Sequence, residues 1–457
     1  MLNSYKIPLL LMGAVIVVYG ALYLVTLSVL HTNGFTAKNM IVGMEGGQGD
    51  SFQYPALAET MLEHGRFAMS ATDAPESFRT PGYPVFIAFV LALFRSITFL
   101  PVTQIILAAL SCSLVFLIGV RFFSRGIALA AALLFAIEPA VISSAFVAMS
   151  DTLFVFVLLL GIYLLVAKKQ SVPGLFSAGL IMGSMALIRP LGLYVIPIVF
   201  LWVLWESRDE RRLNYRNGMV FLIGAALIIV PWMVRNYMQF GHFSLSSVGS
   251  YNANFYVREF EHQYTGKSKE ELTTEMFQAL GATTTDRIES FRYADKNSEL
   301  ALAGIFAHPF LYTAFHLYSM MPFYFGSSIE TFWQTAYYRG IFTGSPSSDI
   351  NISVLVRTGD VRGALDALTS DIPGLLERLV WLILCVAAFV LTLRAVYKRQ
   401  AHAPLYVFFL SLILAFGFMT GPVSYSRYRL PVEPFIFLLG CTGIVAGVRR
   451  LRSRYGL

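Results

Sequence analysis

Charge is what this chain most lacks. Asp, Glu, Lys and Arg make up 13% of its 457 residues, about half the share typical of a soluble domain. Hydrophobic residues make up 56%, and the mean hydropathy is +0.64. An ordinary soluble domain is excluded, and a multi-spanning membrane protein is left. Cysteine is also scarce: Cys112, Cys385 and Cys441 each lie inside an apolar run. That excludes a disulfide framework or a zinc-ligand spacing and leaves buried free thiols. No internal repeat or low-complexity tract is visible, which argues against the repeated halves of many transporters. No small-residue cleavage site follows the first apolar run, Ile7 to Leu30, so it is expected to stay as an anchor. The net charge of +7 is spread in short basic clusters between apolar runs. This is the positive-inside pattern, not a nucleic-acid footprint.

Those clusters orient the chain. Lys6, Arg121 with Arg125, Lys168 with Lys169, the stretch from Glu206 to Arg216, Lys398 with Arg399, and Arg449 to Arg454 mark cytoplasmic ends. Between them ten spans are expected: Ile7 to Leu30, Pro101 to Val120, Gly126 to about Ala145, Thr152 to Ala167, Gly174 to Ile188, Leu191 to Trp205, Gly218 to Val234, Leu376 to Tyr397, Pro404 to Thr420 and Pro431 to Val448. Two more apolar pieces, Tyr83 to Phe94 and Pro309 to Phe325, would invert the charge rule if each crossed. The first falls short of the roughly 20 residues a helix needs to cross, so it reads as interfacial or re-entrant. The expected fold is all-α: one polytopic membrane domain over residues 1–457, with about 10 to 12 spans, interfacial helices, a first extracytoplasmic loop at 31–100 and an extracytoplasmic insertion at 235–375.

The polar signals gather in the loops expected outside. Gly43 to Phe67 reads GMEGGQGDSFQYPALAETMLEHGRF. Pro55 suits a first helical position and Gly65 a helix stop, giving a short surface helix. Four residues then separate Asp50 from Pro55, which weakens an N-cap reading, while Gly46, Gly47 and Gly49 suit a tight bend. In SFRTPGYPVFIAF, Arg79 sits on the side where the charge rule disfavours cations; a membrane-edge arginine ordinarily snorkels to headgroups. Asp151, in MSDTLF, opens a span, where the plain reading is an N-cap favoured by the helix dipole. PWMVRN ends a span with Arg235 and Asn236, and SYSRYRLPVEP brings Arg427 and Arg429 to the mouth of the last one. Interface anchoring explains the neighbouring tyrosines. Several arginines on the less favoured side read as a site for an anion.

In this order GDSFQYPALAETMLEHGRF, RTPGYP, MSDTLF, LIRPLG, PWMVRN and RYRLPVEP resemble the polytopic GT-C glycosyltransferases, across nearly the whole chain. The nearest likeness is to bacterial lipid A aminoarabinose transferases and relatives of dolichyl-phosphate-mannose protein mannosyltransferases. The resemblance implies an inverting transferase that moves one sugar from a polyprenyl phosphate, undecaprenyl in a bacterium, to a lipid, glycan or protein hydroxyl on the extracytoplasmic face of the inner membrane. It makes Asp50 and Asp151 catalytic and sets Arg79 beside the donor phosphate, where Arg427, Arg429 and Arg235 are expected to help it. Tyr54, Tyr83 and Asn236 are expected to line the substrate path. RTPGYP stands where the aminoarabinose enzymes have a KPP form. With the chain ending at Leu457, acceptor recognition is expected to fall to the loops.

A sugar on a lipid phosphate already carries a good leaving group, so the enzyme chiefly needs a base and cations. Asp50 suits the first, general-base catalysis contributing about 10²- to 10⁴-fold; the arginines suit the second. Asp151 is expected to orient the acceptor or tune Asp50. This chemistry does not require a divalent metal, although two aspartates could hold one. A flippase of lipid-linked sugars is the rival from another class, but transporters keep ionisable residues near the midplane. An oligosaccharyl transferase, polymerase or ligase is the rival within the superfamily, and a purely structural membrane protein the third reading.

Overall fold

The computed structural model describes residues 2–43, 49–167, 171–206, 215–339, 362–363 and 371–455. Gly46 and Gly47, the Lys168–Lys169 pair, residues 207–214 of the basic stretch, and residues 340–361 and 364–370 of the expected insertion lie outside the described residues. Regular structure among the described residues is helical, apart from one isolated bridge between Ala68 and Pro75.

Every expected span is a helix: α1 (Leu2–Thr32), α5 (Leu100–Phe122), α6 (Arg125–Ile137) with α7 (Pro139–Phe146), α8 (Asp151–Ala167), α9 (Val172–Ile188), α10 (Gly192–Glu206), α11 (Tyr215–Phe240), α18 (Ile372–Tyr397), α19 (Ala403–Thr420) and α21 (Glu433–Tyr455). Among the described residues six helices, all of them named here, are long and apolar enough to cross a membrane, and counting each of two bent helix pairs as one span brings the number to eight. The pair α6 and α7 bends by 51°, because Pro139 can offer no N–H to continue α6 and Glu138 before it is extended. Helices α8, α9 and α10, at 17, 17 and 15 residues, are shorter than a full crossing. Exposed apolar side chains such as Leu10, Val17, Leu227 and Met238 suit a lipid solvent, and the chain is a multi-pass membrane protein.

Between α1 and α5 lie α2 (Ala37–Val42), α3 (Asp50–His64) and α4 (Gly82–Phe94). Helix α3 differs from expectation at its start. Asp50 is its first residue, Gly49 is the N-cap, and Pro55 sits inside the helix. Proline lacks an N–H and clashes one turn back, so inside the second turn it costs the helix one backbone hydrogen bond. Gly65 closes the helix with φ 64°, the left-handed cap glycine permits.

A helical cap follows α11: α12 (Val248–Thr265), α13 (Lys269–Leu280), α14 (Ala294–Ala307), α15 (Pro309–Ser319), α16 (Met321–Phe325) and α17 (Ser328–Tyr338). The apolar piece from Pro309 to Phe325 forms two short helices, α15 of 11 residues and α16 of 5, and the chain turns by 104° between α14 and this segment.

Lipid tails are as apolar as leucine, so spans associate by close packing rather than by the hydrophobic effect. Helices α9 and α11 do this through Gly179 and Gly224. A Cβ at Gly179 would lie 2.1 Å from the Phe221 carbonyl oxygen, and one at Gly224 2.4 Å from that of Phe176. Polar groups inside the bundle are matched. Tyr19 donates to the Ala136 carbonyl near the α6–α7 break at 2.6 Å. Buried Gln104 donates to the carbonyls of Ser144, Ala145 and Val147, the otherwise unpaired end of α7. That fixes the turn from which α8 begins, and with it Asp151.

Candidate active site

Helix α8 starts at one end of the bundle and α9 returns to it, so Asp151 and Arg189, 38 residues apart, meet there. Arg189 is placed by the residue after it. A residue before proline is forced out of helical geometry, and Arg189 ends α9 extended, with φ −143° and ψ 127°. Its guanidinium donates to Asp151 Oδ1. The other oxygen of Asp151 accepts from Arg427 Nε at 2.9 Å and Nη2 at 2.6 Å. Arg427 belongs to α20 (Ser426–Arg429). Asp151 is fully buried, both oxygens taken by arginine.

Asp50 lies at the same end. Arg79 Nη2 donates to Asp50 Oδ1 at 2.5 Å and its Nε to Gln53 Oε1 at 2.7 Å. The guanidinium rests over the rings of Phe78 and Tyr54, 4.7 and 5.3 Å from their centroids, a cation–π seat that keeps it in plane. Asp50 is more open than Asp151, with 36% of its side chain exposed. Burial opposes its ionisation, but the charges of Arg79, Arg427 and Arg189 outweigh it and hold the carboxyl below the usual range. Asp50 is therefore a carboxylate at neutral pH.

A fourth arginine completes the set. Arg339, just after α17, donates to the Met40 carbonyl at 3.0 Å and to Ser51 Oγ at 2.8 Å. Burial and, after it, the Arg427 charge bring its guanidinium down to about 10. Among the described residues four arginines thus gather about two aspartates, leaving two positive charges in excess. Cations that repel one another gain from an anion set between them. The sequence reading passed over Arg189 and Arg339. The first had a signal, an arginine before proline at the end of an apolar run. Arg339 had none.

Other expected site residues lie elsewhere. Arg429 is fully buried. It donates to Glu433 at 3.2 Å, to the carbonyls of Phe323 and Gly326 and to Ser328 Oγ, and stacks on Trp381 at 3.6 Å. It rivets the α16–α17 turn to α18 and α21 and has nothing left for a phosphate. The reason is helical spacing: two residues apart on one turn, Arg427 and Arg429 point to opposite sides. Arg235 is spent on a loop, donating to the Glu76 carbonyl at 3.0 Å and Asn236 Oδ1 at 2.7 Å over the ring of Trp232. Asn236 is buried and donates to the carbonyls of Ser244 and Leu245. Tyr83 is buried too, its hydroxyl on Gln104 at 2.7 Å, and it packs edge-on against Tyr54. Neither lines a path, whereas Tyr54 lies beneath Arg79.

A divalent cation does not fit these residues. Arginine already takes both oxygens of Asp151 and one of Asp50, and among the described residues no group of three or more His, Cys, Asp or Glu could hold a metal ion. An excess of positive charge disfavours another cation.

Residues 78–234 match the family described as dolichyl-phosphate-mannose-protein mannosyltransferase. The match contains Arg79, Asp151 and Arg189, and over it the resemblance to GT-C glycosyltransferases holds. No curated protein matches. Among solved structures, 94% of this chain superposes on half of the Archaeoglobus fulgidus oligosaccharyltransferase tethered with an acceptor peptide, at 13% identity and a TM-score of 0.46. It covers 77% of ArnT from Cupriavidus metallidurans bound to undecaprenyl phosphate, at 17% identity, a TM-score of 0.38 and 94% of this chain. For AglB from Archaeoglobus fulgidus in complex with an inhibitory peptide and a dolichol-phosphate, the match covers 94% of this chain and 52% of that one, at 14% identity and a TM-score of 0.41. The chain spans about half the length of these archaeal proteins.

Proposed function

We propose that this chain, similar over residues 78–234 to protein mannosyltransferases, transfers a single sugar from a polyprenyl phosphate to an acceptor hydroxyl with inversion, on the extracytoplasmic face of the membrane. The observation that carries the reading is the convergence of Asp50 and Asp151 with Arg79, Arg189, Arg427 and Arg339 at one end of the bundle. Asp50 takes the proton of the acceptor hydroxyl, whose oxygen attacks the anomeric carbon. The bond from that carbon to the phosphate oxygen breaks, and polyprenyl phosphate leaves with the electron pair. The donor phosphodiester carries one negative charge and the departing monoester about two. As Asp50 takes the proton, the positive excess of the site rises while negative charge builds on the leaving phosphate, so the arginines stabilise the transition state more than the bound donor.

Asp151 is a positioning residue here. With both oxygens engaged, it holds Arg189 and Arg427 side by side and offsets their repulsion. Arg79 serves both partners: in the resting enzyme it neutralises Asp50, and a phosphate draws it away, which restores the basicity of the carboxylate. An undecaprenyl chain is the donor lipid expected in a bacterium, and the acceptor is a lipid, glycan or protein hydroxyl.

The test is transfer from a labelled polyprenyl-phosphate sugar by the purified protein. Asp50→Asn is expected to lower kcat by about 10²- to 10⁴-fold. A folded Asp50→Asn protein working near the wild-type rate ends the general-base assignment.

A further inference from the structure

Arg79 sits on a short connection between α3 and α4, and loops at membrane surfaces are usually the least ordered part of a site. This one is held from the other side by the helical cap. Glu76, three residues before Arg79, is almost fully buried. Its Oε1 accepts the backbone N–H groups of Ser77, Phe78 and Arg79 at 2.9, 2.6 and 3.2 Å. Its Oε2 accepts from Arg287 of the cap at 2.9 Å. The cap adds four more ties: Ser247 N–H and Oγ to the Ser77 carbonyl at 3.0 and 3.3 Å, Phe291 N–H to Ser77 Oγ at 3.2 Å, and the ring of Tyr251 against Phe78. Beyond Arg79, Thr80 donates to the Ile188 carbonyl at 3.4 Å, next to Arg189.

We infer that Glu76 and Arg287 form a latch through which the cap sets the position of Arg79. A carboxylate that gathers three successive N–H groups fixes the backbone there, as capping carboxylates do at helix starts. A buried carboxylate holds that geometry only while its charge is matched, and Arg287 supplies the match. Arg287 is 42% exposed and also pairs with Glu289 at 2.9 Å, so the latch lies at the solvent edge of the cap. The residues are positioning residues: Glu76 touches Arg79 only through its backbone N–H, and Arg287 not at all.

The inference rests on the proposed donor site, and two readouts keep the two apart. The variants are Arg287→Ala, Arg287→Lys and Glu76→Gln in the full chain. Hydrogen exchange at the amides of residues 77–79 needs no turnover, and it is expected to speed up in Arg287→Ala and to return most of the way in Arg287→Lys. Glu76→Gln is expected to resemble Arg287→Ala, because its amide N–H₂ would face the guanidinium. In transfer assays Arg287→Ala should raise the donor KM about tenfold, the low end for losing a charged hydrogen bond to a half-exposed partner, with the acceptor KM unchanged. Loss of folded enzyme would lower kcat alone. Wild-type exchange in Arg287→Ala overturns the latch, and so does an equal rise in both KM values. Faster exchange in Arg287→Ala, restored in Arg287→Lys, in a protein that transfers nothing from any polyprenyl-phosphate sugar supports the latch and removes the donor-site reading instead.

Discussion

Arg79 and Asp50 neutralise each other in the resting protein, and that pairing makes a pH prediction with a definite sign. The Asp50 carboxyl is held below its usual range, so the acid limb of kcat/KM, which reports the free enzyme, should fall below about pH 3.9, the ordinary aspartate value. Arg79→Gln removes the nearest cation and should move that limb to higher pH, along with a weaker donor KM. A limb that stays in place would separate Asp50 from the titration. The same pairing stabilises the fold above the unfolded pKa of Asp50 and is lost as pH falls through the lower folded one. Asp151→Asn leaves Arg189 and Arg427 without their carboxylate. Stranding a buried charge costs about 3–5 kcal/mol, so the variant should unfold at markedly lower temperature in a detergent melt. At this scale the sequence showed residue types well and pairings poorly. RYRLP announces two arginines, but only the one-turn helix decides that Arg427 enters the site and Arg429 the core. Asp151 and Arg427 are 276 residues apart, and no local pattern joins them.

The elements themselves were legible, because a lipid solvent demands long apolar runs and satisfied backbone groups. Their interruptions were less so. The run from Gly126 to Ala145 looks continuous in hydropathy, yet Glu138–Pro139 breaks it into α6 and α7. Proline at a first helical position is common, which points to a start at Pro55, whereas α3 begins at Asp50 behind the Gly49 N-cap and carries Pro55 inside. What hydropathy cannot show at all is which faces meet. The glycines of α9 and α11 give a test: Gly179→Ala puts a Cβ 2.1 Å from the Phe221 carbonyl oxygen, so the helices must part. Overpacking of this kind costs about 1–3 kcal/mol, read as a lower unfolding midpoint. Gly126→Ala, where a Cβ meets nothing within 4 Å, should not lower the midpoint, alanine being the better helix former; an equal drop in both would mean that close approach is not what holds the pair.

Across the whole molecule, the spans act as a frame that brings loop ends together at one end of the bundle, and the cap reaches over to hold one of them. Fold class and membrane character followed from composition, whereas the site depended on chain reversals that composition does not encode. The contact between Arg79 and Asp50 also has a temporal meaning. While one arginine blocks the base, an acceptor that arrives first finds no basic carboxylate, and a donor that arrives first creates one. Substrates should therefore add in sequence, lipid carrier leading. Steady-state kinetics would display this as intersecting double-reciprocal lines, with spent polyprenyl phosphate competitive against the donor and non-competitive against the acceptor. The waiting salt bridge would then double as a safeguard, since water entering a site without its donor would meet no active base.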